Sequence, residues 1–565
     1  MIDATSRASL TTLGRDQGIF QYVAWALKQG AVDYRDVRDV NGPLTHLVHM
    51  VLLAFGGADE HRFRVLDLTI TGIGFAFAGA CLPGVIKKKV TWLDRAAWAF
   101  AGWVVLSGQH VMYLYWDLAQ RESFFDWFML SAVALQLAAQ RGLARGAAVG
   151  GGPGALPPRG AASIVARAWP IALAAGLGAI TWFGKPTYVV FTVVQLVALV
   201  VDRELGLSQK QRLGVFALGA AVGAATQLAF LVAYADVGAF LRIYFVDVPA
   251  MYRFMLPRTP VEILSPQWGG TAAAIAITTM VVHLGLIAEG HLPRRTIGVA
   301  LVPLAGLVSV LAQAKGFGYH FHPVTAGMHM QWLLLIVWLW EKFGRAPRTR
   351  PLARLVPYAA GTALAMKLGV VLPSSPHVQD LWILGKARDR VDRESHDYLI
   401  YFRDKDFFPW EMRQTARYLQ EHTRPDERVQ IYGMDPYLLF LAGRMSATPY
   451  IYVYDLNVDA ALGGSWMPDG VRPNPKQADV IVKMRDAHER DMLDRLKLAP
   501  PAAFVFFDKS PLTSNESAVV DFTEHCPESA AWVRERYRET AVFGEDRVWM
   551  RNDVAERIAA APVSN

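Results

Sequence analysis

Long apolar runs recur along the first two-thirds of this chain and constrain its fold more than any other feature. A bilayer core is about 30 Å thick, so a spanning helix needs roughly 17–25 apolar residues. Only 19% of the 565 residues are charged, against about 25% in typical soluble proteins. We therefore predict a polytopic α-helical membrane protein with about ten spans. The candidate spans cover residues 65–86, 96–115, 123–139, 168–184, 186–201, 213–235, 271–288, 296–314, 324–340 and 355–373.

The distribution of Lys and Arg predicts the orientation of these spans. Short loops rich in Lys and Arg face the cytoplasm, and alternate loops here carry Lys87, Arg141, Arg203, Arg294 and Lys342. This topology accounts for the net charge of +7, so no nucleic-acid partner is expected. The opposite side then holds the N-terminus, which indicates either a missing first helix or a misassigned start site.

The chain is predicted to have three domains: an outer-face loop at 1–64, a transmembrane domain at 65–374, and a soluble α/β domain at 375–565. Residues 44–55 are apolar but too short to span, so we expect a helix lying along the outer interface. A break at residues 184–186, which contains a proline, predicts a turn between two helices.

The tail has the pattern of a small layered domain. Apolar runs at 428–432, 450–454 and 503–507 predict strands, and helical patterns at 437–441 and 528–537 alternate with them. Residues 540–543 and 548–550 predict a closing hairpin.

Asp16 is the first acidic candidate. It opens a stretch that places Ile19, Phe20, Val23 and Leu27 on one helical face, which predicts a short amphipathic helix. A carboxylate is favoured at a helix N-terminus, so capping is one interpretation. The alternative is a general base that takes a proton from an acceptor hydroxyl.

Three further acids, Asp33, Asp36 and Asp39, repeat at a spacing of three among Arg35 and Arg38. One interpretation is a solvated loop whose charges pair among themselves. The other is an acidic wall that binds sugar hydroxyls or a divalent cation. No cofactor is assigned, and the divalent cation is left open.

Cations on the outer side form the next group. Arg121, Lys185 and Lys315 oppose the charge bias that topology favours. A cation beside hydrocarbon is costly and marks a functional candidate. A lipid phosphate is the expected counter-ion, although any one of these side chains can instead extend to lipid headgroups.

Residues 315–323 combine a lysine, two glycines, aromatic residues and histidines in one interfacial turn. We interpret Lys315 and His320 as phosphate and sugar contacts, and His322 and His329 as structural. Glu122 just precedes an apolar run. It either caps a helix or faces Asp16 across a cavity.

In their order along the chain, these segments resemble the GT-C glycosyltransferases. The likeness is to the branch of protein mannosyltransferases, aminoarabinose transferases and Rhizobium-type lipopolysaccharide glycosyltransferases. The first outer loop is matched by Arg15-Asp16-Gln17-Gly18, Asp33-Tyr34-Arg35-Asp36 and Asn41-Gly42-Pro43-Leu44, where Gly42 departs from the family's Pro-Pro-Leu. Later segments are matched by Arg64-Val65-Leu66-Asp67, Gln120-Arg121-Glu122-Ser123, Gly184-Lys185-Pro186-Thr187 and Lys315-Gly316-Phe317-Gly318-Tyr319-His320.

The resemblance implies that Asp16 is the catalytic base and that Glu122 is the second catalytic acid. The substrate-binding candidates are Asp33, Tyr34, Asp36, Arg121, Lys185, Lys315, Tyr319 and His320. It implies an inverting transfer from a polyprenyl-phosphate sugar to a lipid, glycan or protein acceptor, with the lipid phosphate leaving. The expected location is a bacterial inner membrane, with the tail in the periplasm and a role in cell-envelope or lipopolysaccharide biogenesis.

Two other classes of membrane protein remain open. A polysaccharide polymerase or ligase would use a lipid diphosphate. A transporter or flippase often shows internal repeats and charged, broken helices in mid-membrane, and the sequence has no evident repeat. The enzyme hypothesis requires Asp16 to share one pocket with Glu122, Lys185 and Lys315 where headgroups meet water.

Overall fold

The protein is mostly helical and divides into two compact units. Unit 1 comprises Met1–Thr11, His61–Ala229 and Pro260–Gly385, and unit 2 comprises Thr12–Glu60, Phe230–Thr259 and Lys386–Asn565. The computed structural model describes residues 9–87, 89–110, 119–150, 161–205, 207–267, 269–344, 351–374, 392–466 and 470–560.

Unit 1 is built almost entirely from helices. Its longer ones are Glu60–Ile86, Trp92–His110, Ser131–Gly150, Ala161–Ile180, Val189–Val201, Gln209–Tyr234, Gly270–Ala288, Val302–Gln313, His322–Phe343 and Pro351–Ser374. A short helix, Arg121–Phe124, and a π-helical segment, Phe125–Leu130, precede Ser131. The core contains Phe75, Leu106, Leu130, Phe191 and Met330.

Five helical stretches in the described residues are long and apolar enough to cross a membrane, which is consistent with a membrane protein. They are Glu60–Ile86, Gln209–Tyr234, Gly270–Ala288, Arg294–Gln313 and Gly318–Phe343. This is fewer than the ten spans expected. Two predicted spans coincide with apolar helices that are shorter, Ala168–Phe183 and Pro186–Val201.

Two helices of unit 1 approach closely because glycine lines their contact. A Cβ at Gly219 would lie 2.0 Å from the Ala172 carbonyl oxygen, and one at Gly223 would lie 2.2 Å from that of Gly176. Small residues four apart are a common way for membrane helices to bring their backbones together. This packing is therefore consistent with a membrane setting.

Unit 2 gathers three separate stretches of the chain around a four-stranded sheet. Its helices are Arg15–Lys28, Pro43–Gly56, Val237–Arg242, Val248–Met251, His396–Leu399, Pro409–His422, Tyr437–Ala442, Asp459–Leu462, Pro475–Leu498, Ala518–His525, Pro527–Arg536 and Asn552–Ala560. Most of the predicted outer loop and most of the predicted tail domain thus belong to one unit.

The sheet has the order β1-β2-β4-β3. β1 (Val429–Tyr432) and β2 (Ala503–Phe507) are parallel, whereas β3 (Tyr537–Phe543) and β4 (Asp546–Arg551) form an antiparallel hairpin. Two predicted strands and the closing hairpin are confirmed.

The predicted strand at 450–454 is wrong. The Val453 amide donates to the Gly433 carbonyl, and the Val453–Asp455 segment is a 3-10 turn. The hydroxyls of Tyr450 and Tyr452 donate to Asp491 and Asp39. These contacts hold the segment in place, and it takes no part in the sheet ladder.

The helix predicted from Asp16 forms as Arg15–Lys28, but it is not amphipathic in its exposure. Ten of its residues, from Gln17 to Leu27 with one gap, are buried on all sides. It packs against the Pro43–Gly56 and Tyr437–Ala442 helices. Gly18 permits the second contact, because a Cβ there would lie 2.4 Å from Cγ of Tyr437.

Candidate functional site

A cluster of charged residues lies inside unit 1, centred on Glu122. This side chain is fully buried in the Arg121–Phe124 helix, and its Oε1 pairs with Nζ of Lys185. Nε2 of His320 lies 3.7 Å from the same oxygen. Among the described residues, the second carboxylate oxygen of Glu122 has no hydrogen-bond partner. Glu122, Lys185 and His320, which are candidates from three separate segments of the sequence, therefore lie together in the structure.

The turn that carries Lys185 follows from the local sequence. The 3-10 segment Thr181–Phe183 ends at Gly184, Lys185 is extended, and Pro186 opens the next 3-10 segment. Proline is well suited to this first position because its fixed φ matches a helix start and its missing N–H would have no partner. The turn predicted at 184–186 is confirmed, and it directs the Lys185 side chain to Glu122.

His320 lies in the 3-10 segment Gly318–Phe321, directly before the His322–Phe343 helix. The ring of Tyr319 meets the His320 ring edge-on at 4.7 Å between centroids. Gly316 has a φ of +62°, a backbone conformation that glycine adopts without strain. The tight turn thus fixes the direction of the His320 side chain.

Lys315 is buried just before this turn. Burial lowers the pKa of Lys315 to about 7, because a low-dielectric environment disfavours the charged ammonium. Arg121 is half-buried at the start of the helix that carries Glu122. The expectation that these two side chains bind a lipid phosphate stays a prediction.

A second acid–histidine pair lies beside the first and was not predicted. Nδ1 of His322 is 3.4 Å from Oδ2 of Asp126, and both side chains are fully buried. Asp126 follows Glu122 by four residues, and His322 follows His320 by two. The sequence contains a signal for this pairing, because the two acids are one helical turn apart and the two histidines lie in a single turn.

Asp16 belongs to unit 2, where it lies half-buried in the first turn of the Arg15–Lys28 helix. Its neighbour Arg15 pairs with Asp435 at 2.8 Å and with Asp406 at 3.2 Å. Burial raises the pKa of Asp435, Arg15 opposes this rise, and the charge of Asp16 adds to it. Asp16 therefore lies close to Asp435, and its shared pocket with Glu122 stays a prediction.

Asp33 is fully buried in unit 2, and so is Asp39. Nδ1 of His46 lies 2.6 Å from Asp33, and Nε2 lies 2.7 Å from Asp39. Burial lowers the pKa of His46, but the two carboxylates more than compensate and raise it to about 10. A solvated loop does not describe these two acids, and a role for Asp33 in binding sugar stays a prediction.

The other two candidates of this loop are Tyr34 and Asp36. Tyr34 is buried with a φ of +63°, and its hydroxyl donates to the Asn41 carbonyl at 2.8 Å. Asp36 pairs with the exposed Arg35 at 2.8 Å and accepts the Val32 amide. These contacts shape the loop, and a substrate contact by either side chain stays a prediction.

An open apolar groove of about 440 Å³ lies elsewhere in unit 1, lined by Val65, Leu68, Ile73 and Trp103 among others. On the Glu60–Ile86 helix, which contributes to this lining, the Thr71 hydroxyl is not part of the groove and accepts a hydrogen bond from Trp127 at 2.6 Å. The groove lining is mostly apolar and includes the hydroxyl residues Ser9 and Thr69. In the described residues, no group of three or more His, Cys, Asp or Glu is placed to hold a metal ion.

No protein-family model matches the sequence, and no curated protein matches it either. The fold defines the class only broadly, as a mostly helical protein with helices suited to a membrane and a small C-terminal sheet. The likeness to the GT-C glycosyltransferases therefore rests on the motifs quoted above and stays a prediction.

Proposed function

We propose that this protein is a GT-C-type membrane glycosyltransferase that transfers a sugar from a polyprenyl-phosphate donor to an acceptor by inversion. The observation that carries this proposal is the buried cluster of Glu122, Lys185 and His320. Ionisable groups inside a membrane-embedded helical unit are costly and are retained mainly for function. A lysine and a histidine in such a place suit the phosphate of a lipid donor.

In the proposed reaction, an acceptor hydroxyl oxygen attacks the anomeric carbon of the sugar. Its proton passes to the carboxylate of Asp16, and the bond between the anomeric carbon and the phosphate oxygen breaks. The lipid phosphate leaves with one more negative charge, which Lys185 and Lys315 stabilise. Phosphate oxygens replace Glu122 as the partner of Lys185 when the donor binds, and His320 contacts the sugar or the phosphate.

The finer topology belongs to the same proposal. It places about ten spans in a bacterial inner membrane, with the C-terminal domain in the periplasm. Five helices of sufficient length and apolarity in the described residues support this topology, and two shorter apolar helices lie at other predicted spans.

The experiment incubates membranes containing the full chain with a panel of labelled polyprenyl-phosphate sugars and analyses the labelled product. The variants are Asp16→Asn, Glu122→Gln and Lys185→Met, with the exposed positions Asp397→Asn and Lys210→Met as matched controls. A general base contributes about 10²–10⁴-fold, so Asp16→Asn should lose most turnover while both controls retain it.

Three outcomes would overturn the proposal. Normal transfer by Asp16→Asn removes its assigned role. Consumption of only a lipid-diphosphate donor favours a polymerase or ligase. Movement of labelled lipid across the bilayer without sugar transfer favours a flippase.

A further inference from the structure

An exposed apolar stripe runs along unit 2 between residues 237 and 251. This stretch consists of the consecutive helical segments Val237–Arg242, Ile243–Asp247 and Val248–Met251, here called the 237–251 segment. The stripe is formed by Val237, Leu241, Phe245 and Val246, with Leu241 50% and Phe245 62% exposed. Val237, Leu241 and Phe245 are four residues apart, and side chains four apart lie on one helical face, so these three form a continuous surface, with Val246 adjacent to Phe245 in the chain.

The opposite face of the 237–251 segment is fixed inside unit 2. Phe240, Ile243 and Asp247 are buried there. The Asp247 carboxylate pairs with Arg38 at 2.9 Å, and the Phe240 ring packs on that of Tyr34. The segment therefore buries one charged side chain while four large apolar ones stay exposed, whereas a surface helix of a soluble protein keeps its outer face polar.

The Pro43–Gly56 helix of unit 2 also exposes large apolar side chains while it buries polar ones, alongside buried Leu44, Val48 and Leu52. Its polar residues Thr45, His46 and His49 are buried, whereas Val51 and Phe55 are exposed, Phe55 by 78%. Elsewhere in the described part of unit 2, most exposed large apolar side chains occur singly, as is normal for a protein surface. Contiguous apolar surface on these two elements marks an interaction site.

Chain connectivity identifies what covers the stripe. Only two residues, Ala235 and Asp236, separate the 237–251 segment from Tyr234, where the candidate membrane span Gln209–Tyr234 ends. Two intervening residues reach at most about 10 Å, so Val237 lies within that distance of the end of the span. Arg242 of the same segment is 68% exposed and lies 3.8 Å from the Asp247 carboxylate, and an exposed arginine near apolar surface suits anionic lipid headgroups.

We propose that unit 2 rests on the bilayer surface through the apolar stripe of the 237–251 segment, with Arg242 directed to lipid phosphates. The segment lies along the interface, with its apolar side chains at the boundary between headgroups and acyl chains. This inference does not depend on the proposed sugar transfer.

The test uses the full chain in nanodiscs of phosphatidylcholine with a minority of phosphatidylglycerol. Both native cysteines are buried and are replaced by alanine. An environment-sensitive fluorophore is then attached at Phe245→Cys or, separately, at Leu241→Cys. The matched control is Lys483→Cys on the Pro475–Leu498 helix of the same unit, where the side chain is 74% exposed.

Labels at positions 245 and 241 are expected to lose most of their emission to lipids that carry a quencher near the headgroup, and little to aqueous iodide. The label at position 483 should show the opposite. Equal quenching by iodide at positions 245 and 483 overturns the proposal. So does shielding at position 245 that depends on protein concentration but not on lipid quencher, since this identifies a second copy as the partner.

Discussion

His46 is held between two buried carboxylates in unit 2, and its replacement by glutamine is expected to destabilise that unit strongly. Burial opposes ionisation of Asp39, but hydrogen bonds from His46, Tyr452 and Asn41 lower its pKa. The pKa of Asp33 is raised by burial although His46 opposes this. His46 is therefore protonated at neutral pH, and it is the counter-charge of this cluster.

The expected loss follows from the charge left behind. Removing one partner of a buried ion pair costs about 3–5 kcal/mol. A rise of the His46 pKa from 6.5 to about 10 corresponds to at most about 5 kcal/mol of stabilisation. In units of 150–250 residues each kcal/mol shifts Tm by about 2–4 °C. His46→Gln should thus lower the Tm of unit 2 by roughly 6–20 °C.

Cys526 offers a direct assay because it is buried in the core of unit 2 with Tyr432, Phe504 and Phe522. In a Cys81→Ala background, a thiol-reactive dye labels Cys526 only when unit 2 unfolds. The pH dependence has a definite sign. A folded-state pKa above the unfolded value gives stability that is complete below pH 6.5 and is lost as pH rises through about 10. The gap between wild type and His46→Gln should therefore shrink toward that pH.

His488 is the matched control in the same unit. It is buried, its Nδ1 lies 3.0 Å from the Asp455 carbonyl, and burial lowers its pKa. His488→Gln should cost only about 1 kcal/mol, the value of one hydrogen bond. Adding Asp33→Asn to His46→Gln should recover part of the loss. If His46→Gln and His488→Gln destabilise unit 2 equally at pH 7, the argument from buried charge is refuted.

Three further predictions use the same thiol assay or ligand binding. Gly18→Ala should destabilise unit 2 by about 1–3 kcal/mol through overpacking against Tyr437, and Tyr437→Ala should remove the clash; an unchanged Tm for Gly18→Ala would contradict this. Glu122→Gln and Lys185→Met should show a coupling of about 0.5–3 kcal/mol in a double-mutant cycle, measured by labelling Cys81 in a Cys526→Ala background, whereas additive effects would disprove their pairing. Lys315 has a pKa of about 7, so binding of a short polyprenyl phosphate should weaken as pH rises through that value; Lys315→Met should abolish this dependence, and an unaltered pH profile would exclude the contact.

Elements set by local pattern could be predicted from the sequence. The short apolar run at 44–55 predicted the Pro43–Gly56 helix, and a proline after a lysine predicted the turn at Lys185. The runs at 428–432 and 503–507 became β1 and β2. These succeed because helix, turn and strand preferences act over a few residues.

The partners of the charged residues could not be predicted in the same way. His46 lies in an apolar stretch whose hydropathy predicts only an interfacial helix, and Asp126 lies inside an apolar run that predicts only a membrane span. Each meets its partner in a buried contact, His46 with Asp33 and Asp126 with His322. Residues 450–454 do not form the expected strand, because hydrogen bonds to the distant side chains of Asp491 and Asp39 override their local preference for extended structure.

The sequence alone determined that the chain has long apolar helices and a charged tail with strands. It also determined that ionisable residues lie beside the apolar runs, where a charge is costly to bury. Hydropathy and backbone preference are additive along a chain, so they can be read without knowing its folded form. Only the tertiary structure decided that residues 12–60 and 230–259 pack with the tail and that Glu122 meets Lys185 and His320. Such contacts join residues far apart in sequence, and their energies depend on burial and geometry that only folding creates.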